Sequence, residues 1–320
     1  MQPESLFDHE TVLLGEAVLA LDIKPSGVYV DGTYGRGGHS ERILSQLGNA
    51  GRLVVVDKDP EAIADAQAKY ASDSRVSVWQ GSFRDFSVAV TAAGVESGKI
   101  DGLLLDLGVS SPQLDDASRG FSFMREGGLD MRMNPDEGVS AAQWLFESTE
   151  KEIADVLWRY GEERFSKRIA RAIKSKCAEK EKPLETTLEL ADLIVAATPN
   201  KREPGKHPAT RSFQAIRIKI NQELEDVEQC LHRAVDSLLP NGRLVVISFH
   251  SLEDRVVKHF MRDMSRTPRL PKGLPVPDSE IPARMRLIGK ASKASQGEVS
   301  VNPRSRSAIM RVAEMNAPAV

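Results

Sequence analysis

VYVDGTYGRGGHS, residues 28–40, decides how this chain is read. A short apolar run ends in an acid, Asp31, and four glycines then fall between positions 32 and 38. Glycines this dense let a backbone turn sharply and pass close to a bound molecule. In an open α/β sheet, a loop after the first strand lines the crevice beyond the carboxyl ends of the strands. Phosphate is the usual guest of a glycine-rich loop, but the spacing here argues against it. A G-x-G-x-x-G fingerprint needs a third glycine where Ser40 stands, and the Gly-Lys-Ser/Thr of a Walker loop is absent.

The flanking segments alternate between strand and helix. Arg52–Asp57 (RLVVVD) is a buried strand that ends in another acid, and Pro60–Tyr70 is a helix with proline in its first turn, where a missing N–H does no harm. Ser40–Leu47 reads as a helix, Val76–Trp79 and Ile100–Leu107 as strands. Apolar strands separated by helices indicate a parallel sheet covered on both faces. From about 115 to 215 no strand pattern is visible. Helical spacing runs through Ala142–Arg159, Glu162–Lys176 and Leu188–Ala197, with a loop at Pro199–Pro208. A long helix is expected over Ser212–Leu239, then a strand over Arg243–Phe249, a helix over Leu252–Met264, mostly loop over Pro268–Ser300 and a last strand at Ser307–Val312. The late strands are too few for a sheet of their own. The expected organisation is therefore one core from residues 1–114 and 216–320, with residues 115–215 inserted as a helical substrate-recognition domain.

Composition narrows the setting. The chain has 320 residues, 41% of them hydrophobic and 28% charged, as in an ordinary globular protein. No apolar run reaches membrane-spanning length, and the acidic N-terminus lacks the order of a signal peptide. Two cysteines, Cys177 and Cys230, exclude a disulfide framework and a four-thiolate zinc site, and a reducing cytoplasm is expected. The net charge of −3 divides unevenly: residues 1–160 carry 14 Lys/Arg against 26 Asp/Glu, residues 161–320 carry 29 against 20. A basic second half suits a polyanionic partner, although solvated basic helices would look the same.

The acids carry more information than the glycines. Asp57 ends its strand 22 residues after Gly35. A carboxylate there can accept both hydroxyls of a ribose. Asp31-x-x-x-Gly35-x-Gly37 with an acid ending the next strand is a pattern of S-adenosylmethionine methyltransferases, whose cofactor has no phosphate. Phe83 follows the third strand and could stack on adenine or simply join the core. Asp106 ends the fourth strand, where a methyl group would meet its acceptor.

Longer motifs make the pattern specific. HETVLLGEAV (9–18), DGTYGRGGHS (31–40), LLLDLGVSSPQLDDASRGFSF (103–123), LDMRM (129–133), YGEERFSKRIARAI (160–173), HPATRSFQAIRIKIN (207–221) and ISFHSLEDRVVKHF (247–260) resemble the bacterial cytidine N4-methyltransferase family of small-subunit ribosomal RNA (RsmH/MraW). The resemblance implies a class I S-adenosylmethionine methyltransferase (Rossmann-like) sheet with an inserted all-helical domain. It implies S-adenosylmethionine as cofactor and small-subunit ribosomal RNA or the small ribosomal subunit as partner; the apolar run lengths give no membrane, and methyl transfer to an amine needs no metal. A homodimer is left open. The family's cofactor contacts fall on Gly37, Gly38, His39, Asp57, Phe83, Asp106 and Gln113.

Chemistry adds two candidates. An exocyclic cytosine amine is a weak nucleophile, because its lone pair is delocalised into the ring. Ser111, in Ser110-Ser111-Pro112-Gln113, is expected to accept a hydrogen bond from that amine through its backbone or hydroxyl. His250 is expected to hold the base or receive the proton, unless Glu253 or Asp254 merely satisfies it. The loop has no aromatic, so the base needs a stacking partner from elsewhere, such as Phe249 or the inserted domain. Arg164, Lys167, Arg168, Arg171 and Lys174, with Lys201, Arg202, Lys206 and Arg211 on the neighbouring loop, would hold phosphates. A DNA amino methyltransferase, a nicotinamide dehydrogenase and a non-catalytic RNA-binding protein are the rival readings.

Overall fold

The structure is a computed structural model that describes residues 11–198, 207–267 and 282–317. The chain divides into two compact units, Met1–Gly108 with Leu224–Val320, and Val109–Glu223.

Among the described residues the first unit has eight strands: β1 (Val28–Asp31), β2 (Arg52–Asp57), β3 (Val76–Gln80), β4 (Ile100–Asp106), β5 (Leu238–Ser248), β6 (Met285–Leu287), β7 (Ser292–Lys293) and β8 (Ile309–Met315). Their order is β3-β2-β1-β4-β5-β8-β6, with β7 also on β8. β1 to β5 pair in parallel, while β8 runs antiparallel to β5, β6 and β7. The sheet is thus mixed, not wholly parallel as the early strands suggest. The order reverses between β1 and β4, which is where an open sheet of this kind forms its crevice.

Successive side chains of a strand point to opposite faces. Val54, Val56, Leu103, Leu105, Leu244 and Val246 therefore enter one core, and Leu53, Val55, Leu104, Val245 and Ile247 the other. The first is closed by α4 (Phe86–Ala92), α11 (Glu223–Ser237) and α12 (Ser251–Met264) through Val90, Leu231 and Val257. The second is closed by α1 (Leu14–Ala20), α2 (Gly38–Leu44) and α3 (Pro60–Lys69) through Val18, Ile43 and Ala66. Burying each such aliphatic side chain stabilises the fold by roughly 1.5–3 kcal/mol.

The second unit holds α5 (Ser111–Asp115), α6 (Ala141–Glu147), α7 (Glu150–Gly161), α8 (Ser166–Lys180), α9 (Thr187–Ala197) and α10 (Thr210–Asn221). Its core includes Leu145, Ile153, Leu157, Ile169, Ile173, Leu190, Ile194 and Ile216.

Several expected elements differ. The helix expected over Ala142–Arg159 is two, because Thr149 caps α7: its Oγ1 accepts from Glu152 N–H at 3.2 Å, and Glu152 Oε2 accepts from Thr149 N–H at 2.8 Å. The helix expected from Glu162 begins only at Ser166, because Glu162 takes a left-handed φ of 49°. The helix expected over Ser212–Leu239 breaks at Gln222, φ 53°. Just before that break, the buried Asn221 side chain donates to the Met131 and Arg217 carbonyls at 2.8 and 2.9 Å and accepts from Met133 N–H at 2.7 Å. It thereby ties the LDMRM stretch to the end of α10. Of the expected loop at 268–300, residues 268–281 lie outside the described residues, and the rest contains β6, β7 and α13 (Gln296–Val301). Lys201, Arg202 and Lys206 also lie outside them, whereas Arg211 sits in α10 and not on a loop.

Candidate active site

The glycine loop is pinned at both ends by Asp31. This fully buried carboxylate accepts from Thr33 N–H at 3.2 Å and from Ser40 Oγ at 2.6 Å, and burial raises its pKa. Along it the backbone donates from Gly32 to Leu104 O and from Tyr34 to Val56 O, at 2.9 and 3.1 Å. The loop thus lies across the ends of β4 and β2. Gly35 and Gly37 have φ of 56° and 75°, and a Cβ on Gly37 would strike the Tyr34 ring. Tyr34 is itself held by its hydroxyl, which donates to Asp65 Oδ2 at 2.6 Å.

Asp57 joins this loop to the next one. Its Oδ2 accepts from Gly35 N–H at 2.8 Å and its Oδ1 from Asp59 N–H at 2.9 Å. Desolvation pushes its pKa up to about 6, against the pull of those two donors. Each oxygen keeps a second lone pair for a hydroxyl. Asp106 lies at the end of β4, with its N–H donated to Thr33 Oγ1 at 2.6 Å. Its side chain is 22% exposed, yet Oδ1 is buried without a hydrogen-bond partner. Burial first, then the charges of Asp31 and Glu253, hold this carboxyl well above the usual range. His39 Nδ1 is 3.8 Å from Asp106 Oδ2. Burial pushes the His39 pKa down to about 4, with a backbone hydrogen bond to Val12 opposing, so this ring is neutral at pH 7. Phe83 is half-buried and packs partly against the core, beside Gly32.

Sequence reasoning missed what steadies these loops. Asp226 of α11, 1% exposed, accepts from Ser82 Oγ at 2.7 Å and pairs with Lys58 Nζ at 2.5 Å and Arg84 at 3.1 Å. It therefore grips the neighbour of Asp57 and the neighbour of Phe83 together. A lone acid in an amphipathic helix gives no local signal of that role.

Glu253, expected only as a partner that could satisfy His250, also holds the backbone there. At the end of β5, Phe249 and His250 both donate backbone N–H to its Oε2, at 2.9 and 3.3 Å. His250 caps α12, with Nδ1 3.4 Å from Glu253 N, and its Nε2 lies 3.0 Å from Glu253 Oε1 without hydrogen-bond alignment. His250-x-x-Glu253 imitates the Ser/Thr-x-x-Glu capping box, so the signal was present in the sequence. Phe249 approaches the site of a Cβ on Gly108, which has φ of 104°.

In the second unit, Ser111 opens α5 half-buried. Gln113 is buried in a capping box with Ser110, accepting from Ser110 N–H at 3.0 Å.

Residues 6–316 match the MraW methylase family. The chain belongs to that family. Solved structures of similar outline include a protein of Clostridium thermocellum assigned as an rRNA methylase, with TM-score 0.43 and 12% identity over 96% of this chain and 99% of that one. SMU.1697c of Streptococcus mutans, assigned as a methyltransferase and crystallised with SAH, scores 0.43 at 9% identity over 96% and 99%. An rRNA methylase of Streptococcus thermophilus scores 0.42 at 9% identity over 97% and 99%. At these scores the likeness carries no weight of its own. As an MraW-family methylase the chain is a methyltransferase, and its cofactor is S-adenosylmethionine. The residues fit that molecule: a carboxylate at each of three strand ends, an unsatisfied acceptor on Asp106, and a loop that left-handed glycines turn sharply beside them.

Proposed function

We propose that this methyltransferase modifies the exocyclic N4 of one cytidine in the decoding region of small-subunit ribosomal RNA. The observation that carries the reading is the cluster of Asp57, Asp106 and the 31–40 loop at the reversal of the sheet, in a chain of the MraW methylase family. S-adenosylmethionine supplies an electrophilic methyl group on a sulfonium. Asp57 accepts the ribose hydroxyls, Phe83 stacks on the adenine, and Gly37, Gly38, His39, Asp106 and Gln113 hold the amino-acid end. A neutral His39 can donate or accept there without adding a second positive charge.

The amine gains nucleophilicity when an acceptor on its N–H localises the lone pair. Ser111 supplies that acceptor, and His250 steadies the base or takes the proton. The capping geometry of His250 favours the steadying role, since Glu253 fixes its backbone and turns its ring. The exposed cations Lys167, Arg168 and Arg171 of α8 receive phosphates and set position without reading sequence. The cytidine leaves its stack at a cost of roughly a few kcal/mol, paid back by these contacts. Such a substrate places the reaction in the cytoplasm.

The test is mass spectrometry of ribosomal RNA from cells with and without the gene. Loss of a methyl group from one cytidine N4 is expected. An unchanged small-subunit RNA would overturn the assignment, and transfer of label to DNA in vitro would support the DNA amino methyltransferase reading.

A further inference from the structure

At the carboxyl end of α7, Trp158, Arg159, Glu162, Arg164 and Arg211 line an open concavity of about 430 Å³. Trp158 is 59% exposed, while its neighbours Ile153, Ala154 and Leu157 are buried in the core of the second unit. An indole is costly to leave in water and contributes little to packing when this open.

The concavity is built by backbone devices. Glu162, at φ 49°, ends the helix, and Glu163 N–H returns to Leu157 O at 3.2 Å, which reverses the chain and brings Arg164 to the same hollow. Gly161 lets α10 come close, since a Cβ there would sit 2.7 Å from the Arg211 carbonyl. Arg211 Nη1 then donates to the Glu162 carbonyl at 3.4 Å. Three guanidinium groups and one carboxylate thus surround one exposed aromatic face. The second unit as a whole has 19 Lys/Arg and 19 Asp/Glu, so this positive charge is local.

We propose that this hollow binds one unpaired nucleotide of the RNA substrate. The base lies on the Trp158 indole, and its flanking phosphates meet Arg159, Arg164 and Arg211. Aromatic stacking accepts any base, while guanidinium groups match phosphate oxygens. The site is a docking point for single-stranded RNA in addition to the α8 cations, and it rests on the reading that the substrate is RNA.

The test uses the full chain with a single-stranded cytidine decamer as probe, at fixed salt. Tryptophan emission is expected to be quenched in the wild type and largely unquenched in Trp158→Phe, which keeps Trp79 and Trp144 as internal controls. Trp158→Ala is expected to raise the dissociation constant for the decamer, and KM for small ribosomal subunits, by about tenfold. Trp158→Phe should lose less, and neither variant should change thermal melting or affinity for S-adenosylmethionine. Wild-type Kd and KM in Trp158→Ala, or equal quenching in Trp158→Phe, would overturn the proposal. Failure of the wild type to methylate ribosomal RNA would instead overturn the functional reading, while the decamer titration would still decide the stacking site.

Discussion

Asp57 does two jobs with one carboxylate. It accepts from the backbone N–H groups of Gly35 and Asp59, and it is the proposed partner of the ribose hydroxyls. Its pKa of about 6 stands above the ordinary value of 3.8 because burial disfavours the charge. Folding therefore costs free energy at neutral pH, and that cost fades as pH falls from 6 towards 4. Cofactor binding has the opposite dependence, since the ionised form is the better acceptor. Titration calorimetry between pH 5 and 8 is expected to show the Kd for S-adenosylmethionine rising as pH falls through about 6, by up to about tenfold per unit. Asp57→Asn should weaken binding by at least about tenfold at pH 8 and flatten this dependence. Asp226→Ala removes the buried carboxylate that Ser82, Lys58 and Arg84 share and is expected to cost about 2 kcal/mol. The measurable results are a lower melting temperature and weaker cofactor binding. The place of Asp57 was legible in the sequence, because RLVVVD is a continuous apolar run that closes on an acid. Asp226 was not, because it lies in a helix 169 residues further along the chain and only folding brings the two regions together.

Elements were easiest to read where apolar runs were continuous. The bounds of β1 and β2 follow directly from VYVD and RLVVVD, which end where the acids meet the crevice. Helices were harder, because apolar periodicity continues across a break. Thr149 and Gln222 both interrupt helical patterns with no proline or glycine to mark the place. The first break was still legible, since Thr149-x-x-Glu152 is a capping box. Thr149→Ala should lower the stability of the second unit by about 1 kcal/mol, read as a small drop in melting temperature. Gly120 offers a sharper test. It has φ of 76°, and a Cβ there would collide with the Gly128 carbonyl and the Asp130 N–H. Gly120→Ala is expected to destabilise the same unit by more than about 2 kcal/mol, with reduced helix signal in circular dichroism at 37 °C.

At the scale of the whole molecule, charge assigns the work. The excess of acid in the first half includes the carboxylates of the crevice, and seven Lys/Arg against one Asp/Glu fall between residues 164 and 180. RNA affinity should therefore drop steeply with salt. Charge reversal at Lys167 and Arg171 is expected to reduce the slope of log K against log salt by roughly 1.4, measured by filter binding. The most direct test of the account is transfer of labelled methyl from S-adenosylmethionine to small ribosomal subunits by the purified chain, followed by digestion and mass spectrometry of the labelled nucleoside. N4-methylcytidine from a single position is expected. Label on another atom or another nucleoside, or none at all, would contradict it.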